Sequence, residues 1–235
     1  TGKEGSFWAK HMKDYGTNIV AGVTPGKEGQ NVDGIPVYHT VQRAIAEHEI
    51  DATLLVVPPK AACASIREAL DAGIKTIVVT AEGIPLQDAL EIRRLGKLCG
   101  ATIIGSNSTG LLSTGKCMMG FFPVWLERVY QRGSIGVMTR SGSLTNEVTA
   151  QIIKAGFGTT TMVGVGGDAT TFTRFAELLP LFEADPETEA VVIIGELGGT
   201  MEEEVAEAIE NGIFTKPLVA SLVPAKVASR IRSMR

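Results

Sequence analysis

Short, unbroken apolar runs rich in Val, Ile and Thr alternate with amphipathic stretches along nearly all of this 235-residue chain. In the first half, residues 18–23, 52–57, 76–80 and 102–104 read as strands, separated by helix-like stretches at 6–15, 41–48, 61–72 and 87–99. In the second half, strands are expected at 134–138, 160–164, 190–194 and 217–222, with helices at 144–155, 170–183 and 201–211. Strands without polar alternation are buried on both faces, and helices between them supply the cover. The pattern therefore predicts parallel βαβ units in an α/β fold.

The rhythm breaks once, over residues 110–132, where Gly, Pro and clustered aromatics gather in STGKCMMGFFPVWLERVYQRG. An inter-domain connection is expected there, dividing the chain into domains at 1–121 and 122–235, each an open doubly wound sheet. The 27 glycines, 44% hydrophobic content and only 6% aromatics suit tight strand-to-helix turns. The net charge of −4 offers no basic footprint for nucleic acid, so any anionic ligand must be held locally. No apolar run approaches the roughly 20 residues that span a bilayer, so no membrane role is expected. Cys63, Cys99 and Cys117 are widely spaced without a CxxC pair, which points to unpaired thiols in a reducing cytoplasm or organelle matrix and to no metal site. The opening TGKEG reads as a loop that follows a strand, and the closing PAKVASRIRSMR as a basic stretch without a final element. Both ends are therefore expected to continue.

In open α/β sheets ligands gather at the carboxyl ends of strands, and the residues just past each strand are the unusual ones. TGKEG (Thr1, Gly2, Lys3, Glu4, Gly5) precedes a helix, where glycine amides and the helix end suit a phosphate. It matches neither a Walker loop nor a complete GxGxxG fingerprint. In GVTPGKEG, Lys27 sits in a Pro-Gly turn, either to meet a phosphate or as a solvated turn lysine. VVPPK places Pro58 and Pro59 as a rigid, non-helical wall for a flat ring. Thr80, Ala81 and Glu82 of TAEGIP follow the third strand, and Asn107 lies in GSNSTG after the fourth. In the second half TRSGSL carries Ser141, Gly142 and Ser143, the serines in N-capping positions. GVGGD follows the next strand, and in GELGG the carboxylate of Glu196 stands at a strand end among glycines. TRSGS is no hydrolase elbow, because it lacks the leading glycine of GxSxG and no histidine follows it in the chain.

These loops, in this order, resemble the alpha subunit of succinyl-CoA synthetase and related nucleotide-forming acyl-CoA ligases. The stretches that carry the likeness are TGKEG, GVTPGKEG, PVYHTVQRAI, DAGIKTIVVTAEGIP, GSNSTG, IGVMTRSGSLTNEV, VGVGGD and PETEAVVIIGELGG, spread over nearly the whole chain. The resemblance implies a Rossmann-like coenzyme A-binding domain followed by a flavodoxin-like ligase domain. It implies that Thr1–Glu4, Lys27 and Thr80, Ala81 and Glu82 hold coenzyme A, with Pro58 and Asn107 nearby. It further implies a phosphoryl group carried by a histidine, a phosphate cradle at Ser141, Gly142 and Ser143, and Glu196 orienting the histidine ring. ATP or GTP with magnesium would sit on a beta-type nucleotide-grasp subunit or fused region, because no grasp-like or Walker element is visible here.

Three departures accompany the likeness. The family's histidine lies in a GHAG-type loop beyond a segment similar to VPAKVASRIRSMR, whereas His11, His39 and His48 match no catalytic motif. The catalytic histidine is expected past Arg235, or else absent. NSTG replaces an Asn-Cys-Pro-Gly turn, and Asn146 replaces the tyrosine of SGTLTYE, which lies near the acid substrate; the ligase class follows, but the particular acid does not. Two other readings stay open: a coenzyme A-binding or regulatory protein without the histidine, and an NAD-binding Rossmann protein. The last is weakened by the incomplete glycine fingerprint.

Overall fold

The computed structural model of the chain describes residues 2–126 and 129–223. The first half opens with α1 (Lys3–Asp14), β1 (Gly22–Val23), β2 (Asn31–Val32), β3 (Ile35–Tyr38) and α2 (Val41–Ile45). It continues through β4 (Ala52–Leu55), α3 (Pro59–Asp71), β5 (Thr76–Val79), α4 (Leu86–Cys99) and β6 (Thr102–Ile104). β4, β5 and β6 form a parallel sheet in chain order, as expected for βαβ units. Its apolar face is covered by α3 and α4, which contribute Ala62, Ile66, Ala69, Ala89 and Ile92 to a core with Ile77, Val79 and Ile103. The expected strand at 18–23 is shorter than its apolar run. Only Gly22 and Val23 pair, in parallel with β3, because β3 is itself a short strand held on its other side by antiparallel β2.

The segment expected to be a connection contains a hairpin, β7 (Gly110–Ser113) and β8 (Cys117–Gly120). Gly115 provides the left-handed backbone (φ 75°) of its turn. The second half follows as β9 (Arg132–Thr139), α5 (Gly142–Lys154), β10 (Thr159–Gly164), α6 (Phe175–Ala184), β11 (Ala190–Glu196), α7 (Met201–Glu210) and β12 (Leu218–Val223). One six-stranded sheet has the order β12-β11-β9-β10-β7-β8. Its parallel portion, counted from β9, runs 2-1-3-4, the flavodoxin-like order. β7 joins β10 antiparallel, so the hairpin belongs by hydrogen bonding to the sheet of the second half. α1 also packs on this hairpin: Met12 is buried with Leu112, Met118 and Phe122, and Thr17 Oγ1 bonds both the carbonyl and the amide of Met118, at 2.6 and 2.9 Å.

β1, β3 and β2 form a small sheet of their own, so the first half is not a single doubly wound sheet; its β4–β6 sheet and the six-stranded sheet share apolar contacts rather than meeting only through a linker. Val78 and Ile104 of the first pack into one core with Met138, Val163, Val165 and Phe175 of the second. Among the described residues, no helix is long and apolar enough to cross a membrane, and no group of three or more His, Cys, Asp and Glu is placed to hold a metal ion.

Candidate functional site

In a 2-1-3-4 sheet the crevice opens where the strand order reverses, here between the carboxyl ends of β9 and β11. Arg140 and Ser141 follow β9 and Glu196 ends β11, and all three line a cleft of about 370 Å³. Thr80 from the end of β5 and Asn107, Ser108 and Thr109 from the loop after β6 line the same cleft, with Phe121, Gly142 and Gly167. Strand ends from both sheets therefore converge on one space.

Ser141 is the N-cap of α5 by position, with an extended backbone (φ −116°, ψ 120°), yet its hydroxyl makes no capping bond. Ser143 lies inside the first helical turn rather than at a cap, a correction to the expectation from TRSGSL. The Ser141 amide donates to Thr139 Oγ1 at 3.0 Å, which tightens the strand-to-helix turn. The first amides of a helix lack intrahelical acceptors and carry the positive end of its dipole, so the start of α5 presents donors at the cleft wall. Gly142 allows close approach: a Cβ there would lie 2.9 Å from Thr109 Cγ2, so the GSNSTG loop seats directly on the helix start. At Gly164 a Cβ would fall 2.2 Å from Thr109 Oγ1.

Arg140 supplies positive charge to the cleft. Its Nη1 donates to the carbonyl of Gly198 at 2.9 Å and reaches that of Glu196 at 3.4 Å, while its buried Nε has no hydrogen-bond partner among the described residues. The guanidinium thereby ties the glycine loop that follows Glu196 to the β9–α5 turn. Sequence reading quoted Arg140 only as part of TRSGSL; its position directly after a buried strand was the available clue.

The loops of the first half are pinned individually. Thr80 bonds the Leu55 carbonyl through Oγ1 at 3.0 Å, and the Asn107 amide donates to the Ala81 carbonyl at 2.8 Å. Asn107 adopts a left-handed backbone (φ 53°), a conformation asparagine tolerates better than most residues, and its carbonyl accepts from Gly167 at 3.2 Å. Glu82 is exposed between Ala81 and Gly83. Asp168 Oδ2 accepts from the Gly83 amide at 3.0 Å and from Ser106 Oγ at 2.7 Å, joining the GVGGD loop to both neighbours. Neither Asp168, Ser106 nor Thr109 was singled out from sequence, because each becomes informative only when loops far apart in the chain meet.

Other expected residues lie elsewhere. Gly2 is the N-cap of α1, with Lys3 and Glu4 in its first turn; Thr1 lies outside the described residues. Lys27 closes a turn, its amide donating to Thr24 at 3.1 Å, beside the Gly26 amide bonded to His39 Nδ1 at 2.8 Å. Pro58 caps α3 and Pro59 is its first residue, so the proline pair is not wholly non-helical; Pro at the first helical position costs no hydrogen bond. Asn146 and Ser143 line a separate groove of about 570 Å³ along α5 with Val129, Glu147 and Lys154. The Asn146 side chain accepts from the Tyr130 hydroxyl, whose pKa burial raises well above the usual phenol range. The chain's histidines are engaged away from the cleft. His11 packs 4.4 Å from Phe7 and 5.1 Å from Trp125, and His48 Nε2 lies 2.8 Å from the Tyr38 hydroxyl.

Comparison with known proteins gives the family. Residues 1–83 match the model of the CoA binding domain, and residues 138–233 match that of CoA-ligase. The chain is 66% identical to the ADP-forming sulfoacetate-CoA ligase subunit SauD of Bilophila wadsworthia, over 94% of this chain and 75% of that protein. It is 45% identical to the ADP-forming succinate–CoA ligase subunit alpha 1 of Archaeoglobus fulgidus, over 94% of this chain and 74% of that one. Among solved structures, the dinucleotide-forming acetyl-coenzyme A synthetase 1 of Ca. Korarchaeum cryptofilum shares the fold with a TM-score of 0.79 at 19% identity, covering 100% of this chain and 51% of that one. ATP citrate lyase from Methanothrix soehngenii superposes with a TM-score of 0.76 at 25% identity, over 81% of this chain and 32% of that one. The chain belongs to the family of alpha subunits of ADP-forming acid–CoA ligases.

Proposed function

We propose that this chain acts with a beta-type nucleotide-grasp subunit or fused region to join a carboxylic acid to coenzyme A, forming a carbon–sulfur bond. The phosphoryl group of a nucleoside triphosphate passes to a histidine and on to the acid; the coenzyme A thiolate then displaces inorganic phosphate from the acyl phosphate. The observation that carries the reading is the shared cleft, where a helix start, Arg140 and Glu196 meet Thr80 and Asn107 of the coenzyme A half. Within it, Ser141 and Gly142, with Ser143 next to them in the first turn of α5, receive the dianionic phosphoryl group, the charge that helix amides and a guanidinium neutralise. Glu196 accepts a hydrogen bond from the histidine ring and sets its orientation. Lys3, Glu4, Lys27, Ala81 and Glu82, with Thr1, Gly2 and Pro58, belong to the coenzyme A side of the proposal. Magnesium and the nucleotide belong to the partner. The setting proposed is the cytoplasm or an organelle matrix, in keeping with free Cys63, Cys99 and Cys117.

For the acid, sulfoacetate is the proposal. Two relatives above 60% identity are named sulfoacetate-CoA ligase subunits, while succinate–CoA ligase alpha subunits of Archaeoglobus fulgidus and Aquifex aeolicus stand at 45–46%. Asn146 stands in place of the tyrosine of SGTLTYE and is the residue proposed to bear on the choice of acid. As for domains, the proposal is a coenzyme A-binding domain over 1–121 and a ligase domain over 122–235, with the β7–β8 hairpin of the first paired to β10 of the second. The test is a coupled assay of the complete chain with its partner, coenzyme A, nucleotide and a panel of acids. Turnover with sulfoacetate above succinate is expected; no coenzyme A-dependent turnover with any acid overturns the ligase reading. In that event, coenzyme A affinity without turnover supports the non-catalytic alternative.

A further inference from the structure

The coenzyme A loop after β5 and the cleft after β9 and β11 lie on different sheets, and one carboxylate oxygen links their surroundings. Asp168 Oδ2 accepts from the Gly83 amide at 3.0 Å and from Ser106 Oγ at 2.7 Å, partners 85 and 62 residues away in the chain. Gly83 has a left-handed backbone (φ 72°), so the chain reverses there and its amide turns back toward the second half. Asp168 itself is placed by tight packing of its own loop. A Cβ at Gly166 (φ 105°) would lie 1.9 Å from the Ser106 carbonyl, so the GVGGD and GSNSTG loops touch backbone to backbone.

We propose that Asp168 is a positioning residue for the coenzyme A loop, fixing Thr80–Gly83 relative to the phosphoryl cleft. The inference rests on the ligase reading for the identity of the ligand. The geometry explains the need. Thr80 is anchored to Leu55 and Ala81 to Asn107, but Glu82 is exposed, and among the described residues the next tie is Gly83 to Asp168. Without that tie, the hold on the far side of Glu82 passes to the apolar packing of Ile84, which fixes no direction for the Gly83 amide. Asp168 does not line the cleft, so its effect on ligand passes through Gly83 and Ser106. It should therefore act on coenzyme A and not on phosphoryl transfer from nucleotide.

The test uses the complete chain with its partner subunit and the variants Asp168→Asn and Asp168→Ala. Asparagine preserves size and can set its one carbonyl oxygen where Oδ2 accepts both bonds, so it removes the charge that strengthens them with little risk to folding. Coenzyme A affinity is measured by calorimetry, and nucleotide-dependent histidine phosphorylation by labelling in the absence of coenzyme A. Asp168→Ala should weaken coenzyme A binding about tenfold and raise its KM to match, the change expected from losing about 1.4 kcal/mol. Asp168→Asn should fall between it and the parent, and phosphorylation should stay within about twofold for both. Unchanged affinity overturns the proposal, as does a parallel loss of phosphorylation, which would mark Asp168 as a general structural residue. If the parent complex fails to phosphorylate yet binds coenzyme A, the ligase reading fails while the affinity comparison still decides the role of Asp168.

Discussion

Replacing Arg140 by methionine separates stability from catalysis, because two opposing terms of similar size meet at this side chain. The Nη1 bond to the Gly198 carbonyl, at 2.9 Å, is charge-assisted and contributes about 1.5–3 kcal/mol. The 3.4 Å approach to the Glu196 carbonyl is at the limit of a hydrogen bond and adds little. Against these stands the buried Nε, with no partner among the described residues, which costs about 1–3 kcal/mol. Arg140→Met removes all three terms and keeps an apolar stem of similar length. Folding stability from urea titration should therefore stay within about 1.5 kcal/mol of the parent. Catalysis should not be spared. The loop beside Glu196 is exposed from Leu197 to Thr200, with left-handed backbones at Gly198 and Gly199 (φ 107° and 89°), and it loses its tie to the β9–α5 turn once the guanidinium is gone. Misplacing a positioned group by about 1 Å can cost a hundredfold, so phosphoenzyme formation with the partner subunit should slow by about that factor. A stability loss above about 4 kcal/mol would show that Arg140 is chiefly structural. An unchanged phosphorylation rate would refute its place in the cleft.

The proposal makes further predictions. Lys27→Ala should weaken coenzyme A binding by removing a charge-assisted contact of about 1.5–3 kcal/mol; equal calorimetric affinity would assign Lys27 to the turn alone. Glu196→Gln should slow histidine phosphorylation while coenzyme A affinity holds, and equal losses in both would argue for a structural carboxylate. Asn146→Tyr should shift the ratio of kcat/KM for sulfoacetate and succinate toward succinate, and an unchanged ratio removes Asn146 from acid selection. For pH, the Thr188 hydroxyl bonded to Asp185 at 2.6 Å holds that carboxyl below its ordinary value of 3.8. A depressed carboxylate stabilises the fold above its unfolded pKa and loses that contribution as pH falls through the folded value. Stability should thus drop as pH falls below about 4, and less steeply in Thr188→Val; identical slopes would exclude this bond as a cause.

The parallel strands were legible because strands buried on both faces are written as Val and Ile runs: β4, β5, β9 and β11 fall where residues such as Ile77, Val79, Val137 and Ile193 concentrate. The hairpin was not. GLLS and CMMG have no polar alternation in sequence, although burial alternates about the wholly buried Leu112 and Met118, because Leu111 and Met119 are apolar yet only half-buried; nearby Gly, Pro and aromatics resemble a linker. The strand-end loops could be found one at a time, since glycine and polar residues stand out after apolar runs. Their mutual contacts could not. Nothing local in sequence tells that Thr109 fits against Gly142 and Gly164, or that Asp168 bonds Gly83.

The hairpin also explains how two sheets can serve one cleft. Gly110 begins β7 directly after the Asn107–Thr109 loop, and a Cβ there would lie 2.2 Å from the Met119 carbonyl, so the strands pair closely from their first residue. Ser108 Oγ accepts from the Gly110 amide at 2.8 Å and donates to the carbonyl of Gly164, the last residue of β10. The loop leaving the first sheet is thus bolted to the strand that adjoins β9, and β9 ends at Thr139, just before Arg140 and the start of α5. Two doubly wound units joined by a free linker would place their strand ends independently, and a thiol on one would meet an acyl group on the other only by diffusion. Continuous pairing from β7 through β10 to β9 instead fixes the separation of the two loop sets within the rigidity of a sheet. Ser108 lies in the cleft wall, but its hydroxyl is engaged by Gly110 and Gly164, so Ser108→Ala should chiefly loosen that spacing. The step that joins the two halves, thiol attack on the acyl phosphate, should slow in single-turnover assays, while histidine phosphorylation and coenzyme A affinity stay near the parent values. Slowing of phosphorylation to the same degree would show that Ser108 supports the cleft as a whole rather than the distance between its halves.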